Sequence, residues 1–208
     1  MPSSRTAIGA AAPVARQILR TVAALGSFLA VPDLRRHDGA GSSTYRRLAF
    51  LVAAAVVAAD QIAKLLAVHF LGDGPVHLLG GVHLQLFRNY AGPGGRWAGH
   101  TVLISVFTVA AAIALAAVIA RSRLDRLTAV GLGLFLGGAV GNGLDRLLRG
   151  PGPLRGGVVD WLAPSAHGGS MNLADLALNA AVVVMIAAAL LSLRSSRGGR
   201  ATRDAPSP

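Results

Sequence analysis

The sequence predicts an all-α polytopic membrane protein with four transmembrane helices and a small β-element on its extracytoplasmic face. Of its 208 residues 53% are hydrophobic and only 14% are charged, whereas a soluble domain carries about 25% charged residues. A helix needs roughly 20 mainly apolar residues to cross a bilayer. Four stretches provide them: about Leu48 to Phe70, Thr101 to Ala120, Leu127 to about Leu148, and Asn172 to Leu193.

The distribution of basic residues predicts the orientation of these spans. Fourteen of the twenty Lys and Arg residues lie before the first span, between the second and third spans, or after the fourth. Because basic residues accumulate in cytoplasmic segments, we expect both termini in the cytoplasm and the loops 69–100 and 149–171 outside. The net charge of +11 fits this bias better than a nucleic-acid site, because few aromatic residues stand between the arginines.

Three regions follow from this reading. Residues 1–45 are expected to be a flexible basic cytoplasmic extension, residues 46–193 the four-span domain, and residues 194–208 a disordered basic cytoplasmic tail. The apolar run from Thr21 to Pro32 could be mistaken for a signal peptide, but its cleavage would export several arginines, against the charge rule. The proline-, serine- and arginine-rich ends favour disorder.

The first outer loop carries the pattern of a short sheet. Residues 82–87 alternate apolar and polar side chains, as a half-buried strand does. Residues 76–79 could pair with them across a turn at Gly80 and Gly81. We therefore expect a small sheet on the outer membrane face.

Polar residues inside the spans are the first indication of a site, because a charge in a bilayer costs about 2.5–3.5 kcal/mol on insertion scales. Asp60 and Lys64 share one face of the first span, four residues apart. Taken alone, a neutralising structural pair is the better explanation of them. Asn142, Asp145 and Arg146 share a face at the end of the third span.

Two further aspartates flank the fourth span. Asp160 follows two valines in the second outer loop, and Asp175 stands three residues after Asn172, a good N-cap. Capping alone could account for Asp175. The positions of these residues along the membrane normal nevertheless favour a functional site. Asp145 lies about 27 Å and Asp60 about 20 Å along their helices from the cytoplasmic side. All four aspartates therefore converge near the outer end.

At these residues the sequence resembles the lipoprotein signal peptidases (signal peptidase II), four-span aspartic peptidases of bacterial membranes. The resemblance covers roughly residues 46–193 and rests on four motifs in order. They are Asp60-x-x-x-Lys64, Gly141-Asn142-x-x-Asp145-Arg146, Val158-Val159-Asp160-Trp161 (where the family has Phe in place of Trp), and Asn172-x-Ala174-Asp175.

The resemblance implies that Asp160 and Asp175 are the catalytic pair. It also implies supporting roles for Asn142, Arg146 and Asn172, with Asp145 holding Arg146, and we add Asn89, Asp60 and Lys64 to this polar set. Only Asn89 carries over from the family's first-loop motif, and residues 149–155 lengthen the second outer loop. The implied substrate is a prolipoprotein carrying diacylglyceryl-cysteine, cleaved just before that cysteine.

Paired carboxylates suit this chemistry because two close aspartates share one proton. Asp175, near a helix N-terminus, is our choice for the base. We expect a monomer in the bacterial plasma membrane, in contact with membrane lipid but not with nucleic acid. We expect no cofactor and no metal, since the six histidines lack ligand spacing and there are no cysteines. The alternatives are a small transporter and a catalytically altered relative that binds lipoproteins or an antibiotic.

Overall fold

The computed structural model describes residues 39–165 and 168–201, which form four α-helices and three strands. The helices are α1 (Gly39–Phe70), α2 (Thr101–Arg121), α3 (Arg126–Leu148) and α4 (Leu173–Ala201). Each contains a segment long and apolar enough to cross a membrane. The predicted all-α polytopic class with four spans is confirmed.

The helices extend further than the apolar stretches predicted. Residues 39–45, assigned above to the flexible extension, continue α1, and residues 194–201, assigned to the disordered tail, continue α4. Hydropathy detects only the part of a helix that is apolar, so it misses polar ends that protrude from the bilayer. Residues 1–38 and 202–208, where the rest of these two predictions falls, lie outside the described residues.

Helix α3 is the centre of the bundle and packs against all three other helices. Its glycines make this close approach possible. A Cβ at Gly137 would lie 2.6 Å from Val56 Cβ on α1, and one at Gly138 would lie 2.6 Å from Ala174 O on α4. Small residues at membrane helix interfaces allow such backbone contact. The carboxyl end of α3 is thereby held between α1 and α4.

The strands β1 (Val76–His77), β2 (His83–Asn89) and β3 (Val158–Ala163) form one antiparallel sheet in this order. Val76 pairs with Leu84, which confirms the predicted hairpin. The sequence reading missed β3, which pairs Val158 with Asn89 and Asp160 with Phe87. A bridge between Leu162 and Met171 then ties the start of α4 to β3. The sheet therefore brings Asn89, Asp160 and the α4 N-terminus together.

Candidate active site

The α1 ion pair lies at the base of the candidate site. Lys64 Nζ lies 2.7 Å from Asp60 Oδ2 and 3.0 Å from Asp145 Oδ2, and it donates to Asn142 Oδ1 at 3.0 Å. All three ammonium protons thus have acceptors. Asp60 Oδ1 accepts a hydrogen bond from Ala174 N at 2.9 Å. Asp60 and Lys64 are both fully buried, so this pair joins α1, α3 and α4.

Asp145 connects the helix bundle to the sheet. Its Oδ2 accepts from Val159 N at 3.0 Å, and its Oδ1 lies 2.7 Å from Arg149 Nε and 3.3 Å from Gln61 Nε2. The resemblance implied that Asp145 holds Arg146, but the structure bonds it to Arg149, one helical turn further on. Asp145 still lies near enough to Arg146 to interact with its charge.

Arg146 is a buried cation with a free donor. Its side chain is only 4% exposed, and its Nη1 has no hydrogen-bond partner among the described residues. Asp160, Asp145 and Asp175 all lie near enough to interact with its charge. A buried polar atom without a partner is uncommon in proteins and marks a place where a ligand or substrate can bind.

Asn172 and Asp175 form a reciprocal cap at the start of α4. Asp175 N donates to Asn172 Oδ1 at 2.9 Å, and Asn172 N donates to Asp175 Oδ2 at 3.3 Å. This arrangement satisfies two amides that have no partner within the helix. The predicted N-cap is confirmed. The cap fixes the carboxylate of Asp175 at the positive end of the helix dipole.

Asp160 lies on β3 and is a buried residue, only 1% exposed. Asn172 Nδ2 donates to its Oδ1 at 2.6 Å, and Asn89 Nδ2 donates to its Oδ2 at 3.2 Å. Burial, and then the charge of Asp175, raise the pKa of Asp160, and these two hydrogen bonds oppose the rise; the net result is a pKa of about 6. Asp160 therefore retains a proton far more readily than an ordinary aspartate.

Two side-chain amides join the aspartates. Asn172 contacts both, through its Nδ2 to Asp160 and through its backbone N to Asp175. Asn142 Nδ2 donates to Asp175 Oδ1 at 2.9 Å, and Asn142 Oδ1 accepts from Asn172 Nδ2 at 3.2 Å. The two carboxylates thus belong to one hydrogen-bonded cluster, close enough for the charge of one to affect the other.

The structure brings all the predicted polar residues into this cluster and adds two that the sequence reading missed. Gln61 donates to Asp60, Asp145 and the carbonyl of Gly141. An amide next to Asp60 in an apolar span was the available signal. Arg149 pairs with Asp145, and its position four residues after that acid was the signal.

Within residues 39–165 and 168–201, no group of three His, Cys, Asp or Glu side chains is arranged to hold a metal ion. The described cluster offers carboxylates, amides and cations. Two adjacent carboxylates that share one proton can act as an acid and a base toward a bound peptide.

Fold and site together define a multi-pass membrane protein with a buried acid–base cluster at one end of its helix bundle. Residues 52–191 match the sequence profile described as "Signal peptidase (SPase) II". The chain belongs to the signal peptidase II family and is a bacterial membrane peptidase.

Curated relatives agree with this assignment, and solved structures share the fold. The chain is 37% identical over 145 residues to a "Lipoprotein signal peptidase" of Mycobacterium avium, covering 64% of this chain and 79% of the relative. It is 35% identical over 150 residues to one of Rhodococcus jostii, covering 71% and 75%. A solved "Bacterial membrane enzyme" structure shares its fold with a TM-score of 0.59, at 23% identity, over 70% of this chain and 88% of the other. The predicted family is confirmed, and the alternative of an altered binding relative is not favoured.

Proposed function

We propose that this chain is an aspartic endopeptidase that removes signal peptides from prolipoproteins, with Asp160 and Asp175 as its catalytic pair. The observation that carries the proposal is the joining of two carboxylates, buried Asp160 and half-buried Asp175, through Asn172. Membership of the signal peptidase II family and relatives named lipoprotein signal peptidase support the reaction and the substrate class.

Charge balance supports a single shared proton on the pair. The cluster contains three cations and four acids: Lys64, Arg146 and Arg149, and Asp60, Asp145, Asp160 and Asp175. Its net charge is zero only when one of the four acids is protonated. Uncompensated charge is costly in a buried site. The raised pKa of Asp160 agrees with a proton held on this pair.

The hydrogen bonds suggest the roles of the two carboxylates. Both oxygens of Asp175 accept hydrogen bonds, from Asn142 and from the α4 backbone, and these bonds favour an anion. Asp175 is therefore proposed as the base that takes a proton from water, while protonated Asp160 donates to the scissile carbonyl oxygen. As the C–N bond breaks, the proton on Asp175 passes to the leaving amine and the diol intermediate returns a proton to Asp160.

Arg146 is proposed to orient the substrate. Its free Nη1 is a charged donor beside both carboxylates, where a peptide carbonyl can accept a hydrogen bond. A fixed donor of this kind stabilises negative charge that develops on the substrate during the reaction.

The proposed substrate carries diacylglycerol on its lipobox cysteine, and cleavage occurs just before that cysteine. A buried cluster at one end of a bundle of apolar helices suits a peptide whose acyl chains stay in the bilayer. We expect the enzyme to act as a monomer. We expect the site to lie near the outer face of the membrane.

The test is cleavage of a diacylglyceryl-modified prolipoprotein by purified protein in detergent. Wild type is compared with Asp160→Asn and Asp175→Asn, and with Asp125→Asn as a control at the opposite end of α3. Thermal unfolding verifies that all four proteins fold. We expect activity only in wild type and the control. Full activity in either site variant would overturn the assignment of the pair, and an inactive wild type would overturn the substrate.

A further inference from the structure

Two adjoining grooves lie beside the N-terminus of α2, outside the carboxylate cluster. The larger has a volume of about 770 Å³ and lies between the start of α2, Tyr90 and Arg155. The smaller, of about 420 Å³, is bounded by Arg88. Both are lined by Tyr90 and Pro151. The larger volume is within the range of small-molecule sites, about 300–1,000 Å³.

Tyr90, which separates the two grooves, is held in place by its neighbours. The Tyr90 ring packs so closely on Gly157 that a Cβ there would lie 2.8 Å from it. The Tyr90 carbonyl accepts a hydrogen bond from Thr101 Oγ1 at 2.9 Å. These contacts fix Tyr90 between the first turn of α2 and the start of β3.

The rim of the grooves is cationic. Arg155 lines the larger groove and Arg88 the smaller, and both are exposed. No carboxylate among the described residues lines either groove. The positive end of the α2 dipole lies at the same place, and His100 provides no side-chain cap for it. The two guanidinium groups match a phosphate, the anion that arginine binds best.

The floor of the larger groove is apolar and runs into the membrane. Val102, Leu103 and Val106 follow one face of α2, and they are 42%, 48% and 48% exposed. Helix α2 packs chiefly on α3, so this face has no protein partner among the described residues. The grooves therefore combine a cationic rim with an apolar stripe, in the order in which a phospholipid combines headgroup and acyl chain.

We propose that these grooves bind one anionic phospholipid, its phosphate on Arg88 and Arg155 and an acyl chain along Val102, Leu103 and Val106. The diacylglyceryl group of a substrate has no charge and would leave the arginines unused. An acidic peptide would leave the apolar stripe unused. An anionic phospholipid engages both, and the assignment does not depend on the peptidase reaction.

The test is native mass spectrometry of the full-length protein after removal of lipid in an uncharged detergent. Dioleoyl phosphatidylglycerol is compared with dioleoyl phosphatidylcholine, which has the same chains and no net charge. We expect one phosphatidylglycerol to be retained under conditions that remove phosphatidylcholine. The double variant Arg88→Gln/Arg155→Gln should lower this affinity about tenfold or more.

The matched control is Arg47→Gln/Arg123→Gln, which removes two exposed arginines at the opposite end of the bundle and should retain the lipid. Asp175→Asn should also retain it, which separates this result from any failure of the proposed reaction. Equal retention of both lipids, or no effect of the groove variant, would overturn the proposal. So would displacement of the lipid by inorganic phosphate alone, which indicates an anion site, or by a soluble acidic peptide, which indicates a peptide site.

Discussion

At the scale of single residues, the orientation of one side-chain amide controls the cluster. Asn142 Oδ1 accepts hydrogen bonds from Lys64 Nζ and Asn172 Nδ2. Lysine is a donor only, so it fixes which end of the Asn142 amide it meets. The NH2 group of Asn142 must then face Asp175. Lys64 thus orients a donor toward Asp175 without contacting the substrate-binding side of the pair.

The raised pKa of Asp160 leads to the first prediction. In the proposed mechanism protonated Asp160 is the acid, so kcat/KM should fall as pH rises through about 6, the pKa of Asp160. The hydrogen bond from Asn89 lowers this pKa. Removing it in Asn89→Ala should move the alkaline limb of the profile upward by about one pH unit, as expected for a lost bond to a carboxylate.

The measurement is the pH dependence of kcat/KM, with Gln85→Ala as the control because Gln85 is an exposed residue on the same strand. The control should leave the profile unchanged. An alkaline limb that stays in place in Asn89→Ala would contradict the role given to Asp160.

At the scale of elements, the cap of α4 is also part of the cluster, whereas the cap of α3 is not. Asp125 Oδ1 accepts from Leu127 N and Thr128 N at the opposite end of the bundle. Asp125→Ala should therefore cost about 1 kcal/mol of stability and leave activity unchanged. Asn172→Ala should cost more, because it also leaves Asp160 without its shortest hydrogen bond, and should lower kcat by roughly 10²-fold or more.

Thermal unfolding and cleavage kinetics of the two variants check this prediction. Equal losses of activity in both would mean that Asn172 acts only as a helix cap.

The glycines of α3 give a second prediction for the elements. In Gly138→Ala the new Cβ would lie 2.6 Å from Ala174 O, the residue whose N–H bonds Asp60. In Gly143→Ala the nearest atom, Thr108 Cγ2, is 3.8 Å away. We expect Gly138→Ala to destabilise the protein by about 1–3 kcal/mol through overpacking and to lower activity by displacing α4.

Gly143→Ala should keep full activity and should not be destabilised, because alanine is the better helix former. Melting temperature and activity in detergent measure both effects. A stable, active Gly138→Ala would show that the α3–α4 contact is looser than the structure indicates.

The sequence predicted the features that depend on residues close together in the chain, and it missed those that depend on contacts between distant segments. The spans follow from apolar length, the Asp60–Lys64 pair from helical spacing, and the α4 cap from the sequence of one turn. The third strand could not be predicted, because the pairing of Val158 with Asn89 joins segments separated by two helices. Gln61 is similar: its partners on α3 become apparent only when α1 and α3 pack together.

At the scale of the whole molecule, the cluster and the sheet occupy the same end of the bundle. The cluster residues lie in the second half of α1, at the end of α3 and at the start of α4. The apolar side chains of α1, α2 and α4 are largely exposed, as expected of helices that face lipid. The carboxylate cluster therefore lies at one end of the molecule. The side of the membrane on which this end lies determines which segment of a substrate the cluster can reach.

The basic residues predict that this end faces outward, and the chain permits a direct test because it contains no cysteine. Arg96→Cys places a thiol in the exposed loop before α2, and Arg123→Cys places one in the exposed link between α2 and α3. Arginine-rich segments remain in the cytoplasm. We therefore expect a membrane-impermeant maleimide to label Arg96→Cys in intact cells and Arg123→Cys only after the membrane is opened.

Both variants must label equally in detergent, which controls for local reactivity. The reverse pattern would place the carboxylate cluster at the cytoplasmic face. A peptidase there could not act on a signal peptide whose cleavage site has crossed the membrane. The reverse labelling pattern would therefore also contradict the proposed reaction.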